Sequence, residues 1–284
     1  MLSPEVNWVC KIKKHIGSSF GKQVFAKHIS VMRRVLRMYM KTKGLVIRET
    51  RIKETDKLLT ILAPVHGKIT AKARGVMKDK SKNSAACQMF CWSDFTLYEN
   101  RGYLTVTEAV TDEMFAELQL SPAKFALGAY FCEVCELLSM TDTVSDELLR
   151  LTLNMLYALA KLDLPLELIR CAFEARALVC GGYMPDIEVC SGCGCEPETP
   201  IISISEFSVR CAECVGDYGI EIPVSFTAYK TLKYFLSAPL KKLLSVDLSE
   251  DDIKTLVYVT ESWLESKVGG KNSRNYYKGM LNYG

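Results

Sequence analysis

Lys68-Ile69-Thr70-Ala71-Lys72-Ala73-Arg74 alternates polar and apolar residues without a break. A period of two belongs to a strand with one wet face and one buried face. Lys68, Thr70, Lys72 and Arg74 then share the outer face, and Ile69, Ala71 and Ala73 the inner one. Upstream, Leu58–Ala63 is an apolar run ended by Pro64, with His66-Gly67 as a turn, and Gly44–Glu49 is rich in β-branched residues. Downstream, Phe90–Tyr98 and Tyr103–Val110 flank Glu99-Asn100-Arg101-Gly102, which reads as a four-residue hairpin loop. Five closely spaced strands within residues 44–110 predict a small closed barrel. Between the third and fourth, Val76–Ala86 mixes Lys and Asp with small polar residues and reads as a mobile loop.

The basic strand sits in an uneven field of charge. The 284 residues carry 36 Lys and Arg against 33 Asp and Glu, a formal net charge of +3. Residues 1–39 hold +7 of it, residues 41–82 are +8, and residues 120–284 are −7. Three like charges among four successive same-face positions repel unless a polyanion or solvent covers them. Arg48, Lys57, Lys78, Lys80 and Lys82 stand close to Lys68, Lys72 and Arg74 in sequence. Together they make a candidate phosphate-binding face for nucleic acid, with affinity that falls as salt rises. Trp92, Tyr98 and Tyr103 are candidate stacking platforms for bases, or else barrel wall. The competing reading of the charge is a solvated surface with no ligand.

After residue 112 the period becomes helical. Ser121-Pro122 is an N-cap and first-turn proline before a helix over 123–140. A second helix is expected over 142–161, capped at Ser145, and a third over 164–180, opened by Pro165 and stopped by Gly181-Gly182. Two more follow at 225–236 and 249–266, before a tail rich in Lys, Asn and Tyr. Residues 183–222 lose periodicity. The expected organisation is an extension at 1–39, a barrel domain at 40–119, and a helical domain at 120–284 with an insertion at about 183–222. The first 39 residues contain an amphipathic stretch at 24–39. They read as an early-assigned start, with Met40 or Met38 as the working start, in preference to a targeting helix.

The insertion carries the most specific motif. Cys190-Ser-Gly-Cys193 and Cys211-Ala-Glu-Cys214 are two C-x-x-C pairs separated by seventeen residues. Two-residue spacing lets both thiolates of a knuckle reach one tetrahedral ion, and the second knuckle closes the sphere. Four sulfur ligands leave no open position, so the expected ion is a single structural Zn2+. A redox dithiol needs only one such pair. Cys195 is a possible substitute for Cys193. Cys132 and Cys135, also spaced C-x-x-C, fall inside a helix and read as buried thiols, as do Cys87, Cys91, Cys171 and Cys180.

Several function classes lack their residues. Of three histidines only His66 lies beyond residue 39, and it sits in a turn. There is no phosphate loop, no G-x-G-x-x-G after a strand and no H-E-x-x-H. No apolar run approaches the length that spans a bilayer, so no membrane partner is expected. The chain is expected not to be an enzyme.

Gly44-Leu-Val-Ile-Arg48, Glu54-Thr-Asp56-Lys57-Leu-Leu-Thr60, His66-Gly67-Lys68-Ile69-Thr70, Ala73-Arg74-Gly75 and Lys80-Ser-Lys82 resemble the opening of the bacterial recombination-repair family RecO. Gly182-Tyr-Met-Pro185-Asp186, Cys190-x-x-Cys193-Gly194, Phe207-Ser208 and Cys211-x-x-Cys214 resemble its zinc segment. The similarity runs from about Met40 to the end. Val209-Arg210 departs from it, where a glycine pair is expected before the third cysteine. The resemblance implies an α+β protein: an N-terminal OB-fold barrel, then a helical domain with an inserted four-cysteine zinc module. It implies a RecF-pathway mediator in the cytoplasm, at the nucleoid. Such a mediator binds single- and double-stranded DNA, anneals complementary strands, and works with RecR and single-strand-binding protein to load RecA, with a functional link to RecF. The alternative is a zinc-containing interaction adaptor that binds only proteins.

Overall fold

The computed structural model of the chain describes residues 39–139, 146–216, 219–268 and 272–281. Five strands form a closed barrel: β1 (Tyr39–Arg51), β2 (Lys57–Ala63), β3 (Gly67–Ala73), β4 (Cys91–Asn100) and β5 (Tyr103–Met114). Their order around the barrel is β1-β2-β3-β5-β4, with β4 antiparallel to β1 and β3 parallel to β5. This is the OB-fold barrel. The alternation of β3 is realised: Gly67, Ile69, Ala71 and Ala73 are buried, and Lys68, Thr70 and Lys72 face out. Bulges at Ile47 in β1 and at Thr107 in β5, opposite Thr96 and Leu97, bend the strands so that the sheet can close.

Two connections differ from expectation. The β4–β5 hairpin turns on two residues, Arg101 and Gly102, not four, because Asn100 still pairs with Tyr103. Both turn residues have positive φ, 51° and 80°, the geometry that follows the twist of the flanking strands. Residues 76–90, of which 76–86 read as a mobile loop, form consecutive hydrogen-bonded turns. Val76, Ala86 and Cys87 within them are buried in the barrel core. Composition signalled solvent, but three small or apolar side chains were enough to anchor the segment.

The helical part contains α1 (Pro122–Leu138), α2 (Asp146–Lys161), α3 (Leu166–Cys180), α4 (Phe226–Ser237), α5 (Glu250–Lys267) and α6 (Asn272–Leu281). Ser121 caps α1 by accepting from the Lys124 N–H, and Ser225 and Ser249 cap α4 and α5 in the same way. The cap expected at Ser145 lies outside the described residues, as does the stretch at 24–39 except for Tyr39, which opens β1. The tail expected after α5 contains a further helix, α6, packed on α1. The central helix α3 touches α1, α2, α4 and α5 and is buried nearly throughout.

Between α3 and α4 lies a small sheet: β6 (Asp186–Cys190), β7 (Ile201–Ser203), β8 (Ser208–Arg210) and β9 (Glu221–Pro223), in the order β6-β8-β7-β9. Its Ile187, Ile202, Phe207 and Val209 join the core of the helical body. That same core includes Leu45, Ile47, Leu62 and Phe90 from the barrel end of the chain.

A cationic cleft and a four-cysteine centre

The outer face of β3 does not present three free cations. Lys72 lies 3.0 Å from the Asp56 carboxylate, whose other oxygen accepts the Gly75 backbone N–H at 2.9 Å. The Gly75 amide first, and Lys72 after it, hold the Asp56 carboxyl below the ordinary carboxylate range. Lys68, at the other end of the strand, points to α1, with its Nζ 3.5 Å from the Glu136 carbonyl oxygen. Arg48 joins it there by donating to the Glu136 carboxylate at 2.6 Å. Lys57 is tied to Glu49 at 2.7 Å. Arg74, Lys78, Lys80 and Lys82 are exposed and have no ion pair with any described residue. The eight cations thus divide. Arg48 and Lys68 brace the barrel against α1, Lys57 is held on its own strand pair, and Lys72 and Arg74 share one end of β3.

That end opens on a cleft of about 620 Å³. Its wall comes from Leu58 on β2, from Thr70, Lys72 and Arg74 on and after β3, and from Asn100–Thr105 around the β4–β5 turn. None of the described residues that line it is acidic, although Asp56 stands behind Lys72. Tyr103 stands at its edge, 79 % exposed. The other two aromatic candidates lie elsewhere. Trp92 packs against the helical core, and Tyr98 meets Tyr39 with ring centroids 5.2 Å apart. Lys82 borders a different surface, on the outer side of β4 and β5 beside Tyr39 and Glu108. Arg101 is the cleft residue that sequence reading passed over as a loop cation. Its signal was its place in the hairpin turn, because in an OB barrel the β4–β5 loop flanks the face of β2 and β3.

At the opposite part of the chain, the Sγ atoms of Cys190, Cys193, Cys211 and Cys214 all lie within 4.8 Å of one another. Cys190 to Cys211 and Cys193 to Cys211 are both 3.7 Å. A tetrahedron of sulfurs about 2.3 Å from a central ion has edges near 3.8 Å, so the four thiols are spaced to hold a metal ion. The backbone is shaped for it. A Cβ at Gly192 would meet the Cys214 Cβ at 2.8 Å and its Sγ at 2.9 Å, so only glycine lets the two knuckles approach. Gly194, at φ +75°, reverses the chain after Cys193. Burial works to raise the Cys190 thiol, but the backbone N–H groups of Cys193, Cys211 and Gly192 outweigh it and bring it down to about 6, toward the thiolate that a metal takes.

Arg210, the departure from the glycine pair, has a place in this centre. Its guanidinium pairs with Glu206 and donates to the Cys214 carbonyl at 3.2 Å, so a long side chain steadies the second knuckle from outside. The remaining thiols behave as packing. Cys132 and Cys135 are buried in α1, the latter 2.7 Å from the Thr152 hydroxyl, and burial pushes the Cys87 and Cys91 thiols up to about 12 and about 11. No helix among the described residues is long and apolar enough to cross a membrane.

Two family models match the chain. Residues 38–115 match the family model described as Recombination protein O N terminal, and residues 119–275 match Recombination protein O C terminal. The chain is similar to the DNA repair protein RecO of Acetivibrio thermocellus, 29 % identical over 84 % of this chain and 94 % of that one. It is also similar to the RecO of Clostridium novyi, 31 % identical over 77 % of this chain and 84 % of the relative, and to that of Moorella thermoacetica, 30 % identical over 81 % and 91 %.

Proposed function

The chain belongs to the RecO family and so has a role in DNA repair and recombination, and from that premise we propose that it is a non-catalytic mediator that holds DNA on the barrel. The observation that carries the reading is the cleft where Lys72, Arg74 and Arg101 converge beside exposed Tyr103. Guanidinium and ammonium groups take phosphates without regard to sequence, and an exposed ring offers a base a stacking partner. Lys78, Lys80 and Lys82 extend the cationic surface beyond the cleft. Arg48, Lys57 and Lys68 contribute to the field but are engaged with Glu136 and Glu49 before any phosphate arrives.

A phosphate-holding surface of this kind leaves base edges accessible. It would serve single strands and duplexes alike, and would let two complementary strands anneal once their charge is neutralised. The acidic helical body is the counterpart for protein partners: RecR, single-strand-binding protein and, functionally, RecF and RecA. The four-cysteine centre is read as one structural Zn2+ that pins β6 and β8 to the segment Cys211–Cys214. The working compartment is the cytoplasm, at the nucleoid. The boundaries at 40–119 and 120–284 mark a barrel for DNA and a body for partners.

The experiment is a titration with fluorescent oligothymidine over a range of salt. Each phosphate contact contributes about −0.7 to the slope of log K against log salt for a single strand. The double variant Arg74→Glu with Arg101→Glu is therefore expected to bind far more weakly and to lower the slope by about 1.4. Circular dichroism should remain unchanged. Absence of binding by the unaltered protein at low salt, or absence of a salt slope, would favour the protein-only adaptor.

A further inference from the structure

The four-thiol centre has a fifth thiol beside it. Cys195 Sγ lies 3.0 Å from Cys193 Sγ, closer than the 3.7 Å contacts that Cys211 makes with Cys190 and Cys193. Its position is built. Cys190 donates its backbone N–H to the Cys195 carbonyl at 2.8 Å, Gly194 donates to the Cys190 carbonyl at 2.9 Å, and Gly194 takes positive φ between the two cysteines. This closed turn aims both sulfurs to the same side. Accessibility separates the five: Cys190 and Cys211 are buried and Cys214 is half-buried, while Cys193 and Cys195 are exposed. The residue that is not needed for a four-sulfur sphere is therefore exposed and adjacent to the most accessible ligand.

We propose that Cys193 and Cys195 form a redox pair through which a hydroperoxide opens the metal centre. The proposal rests on the reading of the four cysteines as zinc ligands. The Cys195 thiol gives its proton to solvent and the thiolate attacks one oxygen of hydrogen peroxide: an S–O bond forms, the O–O bond breaks, and the departing hydroxide takes a proton from solvent to become water. The Cys193 thiolate then attacks the sulfenic sulfur: the S–S bond forms, the S–O bond breaks, and the hydroxide takes a proton from solvent to become a second water. Two thiols have lost two electrons and the peroxide has gained them. The ion keeps three sulfur ligands and becomes open to water and chelators. A thiol reductant returns both cysteines and permits reloading.

Opening would be felt beyond the knuckle. Phe207, just before β8, meets Trp263 of α5 with ring centroids 4.8 Å apart and planes tilted by 54°, and the Trp263 indole N–H points at the Ser203 carbonyl at 3.5 Å. A loosened module therefore disturbs its contact with the helical body.

The test uses the zinc-loaded full chain and Cys195→Ser, treated with hydrogen peroxide in the presence of a chromogenic chelator. The unaltered chain is expected to release its zinc and to show, by tandem mass spectrometry without reduction, a Cys193–Cys195 disulfide. Dithiothreitol with added zinc should reverse both. Cys195→Ser should release zinc at least about tenfold more slowly, since the thiolates that remain share their charge with the ion and are weaker nucleophiles toward peroxide. Equal release rates in the two proteins, or a disulfide within Cys190–Cys193 or Cys211–Cys214 instead, would overturn the proposal. Metal content before peroxide reports separately on the zinc reading. A chain purified without zinc overturns that reading, while the disulfide map still decides the redox pair.

Discussion

Asp56 governs how much positive charge β3 presents to the cleft. It takes the Gly75 amide with one oxygen and Lys72 with the other. For the proposed function, a phosphate must compete with that carboxylate for Lys72. Asp56→Asn keeps an oxygen for Gly75 and releases Lys72. It is expected to tighten oligothymidine binding at low salt by about two- to threefold, the scale of one partly exposed pair. Weaker binding in a folded Asp56→Asn variant would instead make Asp56 part of the site. The alternation of β3 was visible because a period of two is local. The partners of its cations were not, since Glu136 is 68 residues from Lys68 and no spacing rule joins them.

The elements read from sequence were those with a sustained period. All five barrel strands and the first five helices stand near their expected places. β7, β8 and β9 are three residues each, too short to show a period, and they form only because pairing and burial against α5 select them. α6 was read as a tail because its composition is polar, yet Tyr277 within it is fully buried and donates to Glu167 at 2.8 Å. The knuckle was legible in its cysteines and in Gly192 and Gly194, which relieve their tight backbone, while the contact that a Cβ at Gly192 would make with Cys214 was not. Gly192→Ala places a Cβ against Cys214 and must displace a ligand. It is expected to lower zinc content well below one ion per chain, measured by atomic emission, while Gly279→Ala, where the added methyl meets nothing, leaves it unchanged. Full zinc occupancy in Gly192→Ala would show that the knuckle relaxes.

Across the whole molecule, one apolar core fills the barrel and a second joins the barrel end to the helices, and a buried polar network organises the helical side of the second. Glu174 on α3 accepts from Tyr130 of α1, Arg170 of its own helix and Thr260 of α5 at 2.8, 3.0 and 2.6 Å. Burial pushes its carboxyl up, against the pull of Arg170 and then of the two hydroxyls. Glu174→Ala takes one of three carboxylates from Arg170, which keeps Glu167 and Glu261, and leaves the Tyr130 and Thr260 hydroxyls without this acceptor; it is expected to cost about 2–4 kcal/mol in urea unfolding. Phe90, whose ring meets Phe125 of α1 at 5.2 Å, links that body to the barrel. Hydrogen exchange in Glu174→Ala is therefore expected to show the slow amides of β2 and α3 losing protection together. A loss confined to α3 would mean that the barrel folds independently.

The sequence by itself determined the barrel, the helices and the four-thiol centre, because strand period, helix caps and C-x-x-C spacing are all short-range. It also located the cationic segment, since charge density needs no fold. Only the tertiary structure decided which cations remain available. Arg48 and Lys68 are drawn to α1, Lys57 to Glu49, and Arg101 is brought from the far hairpin to stand with Lys72 and Arg74. Barrel closure brings residues distant in the chain to one cleft, and the ion pairs made across that distance set the charge it presents. The fifth thiol followed the same rule: its number lay in the sequence, but its contact with Cys193 depended on a turn at Gly194 closed by the backbone of Cys190.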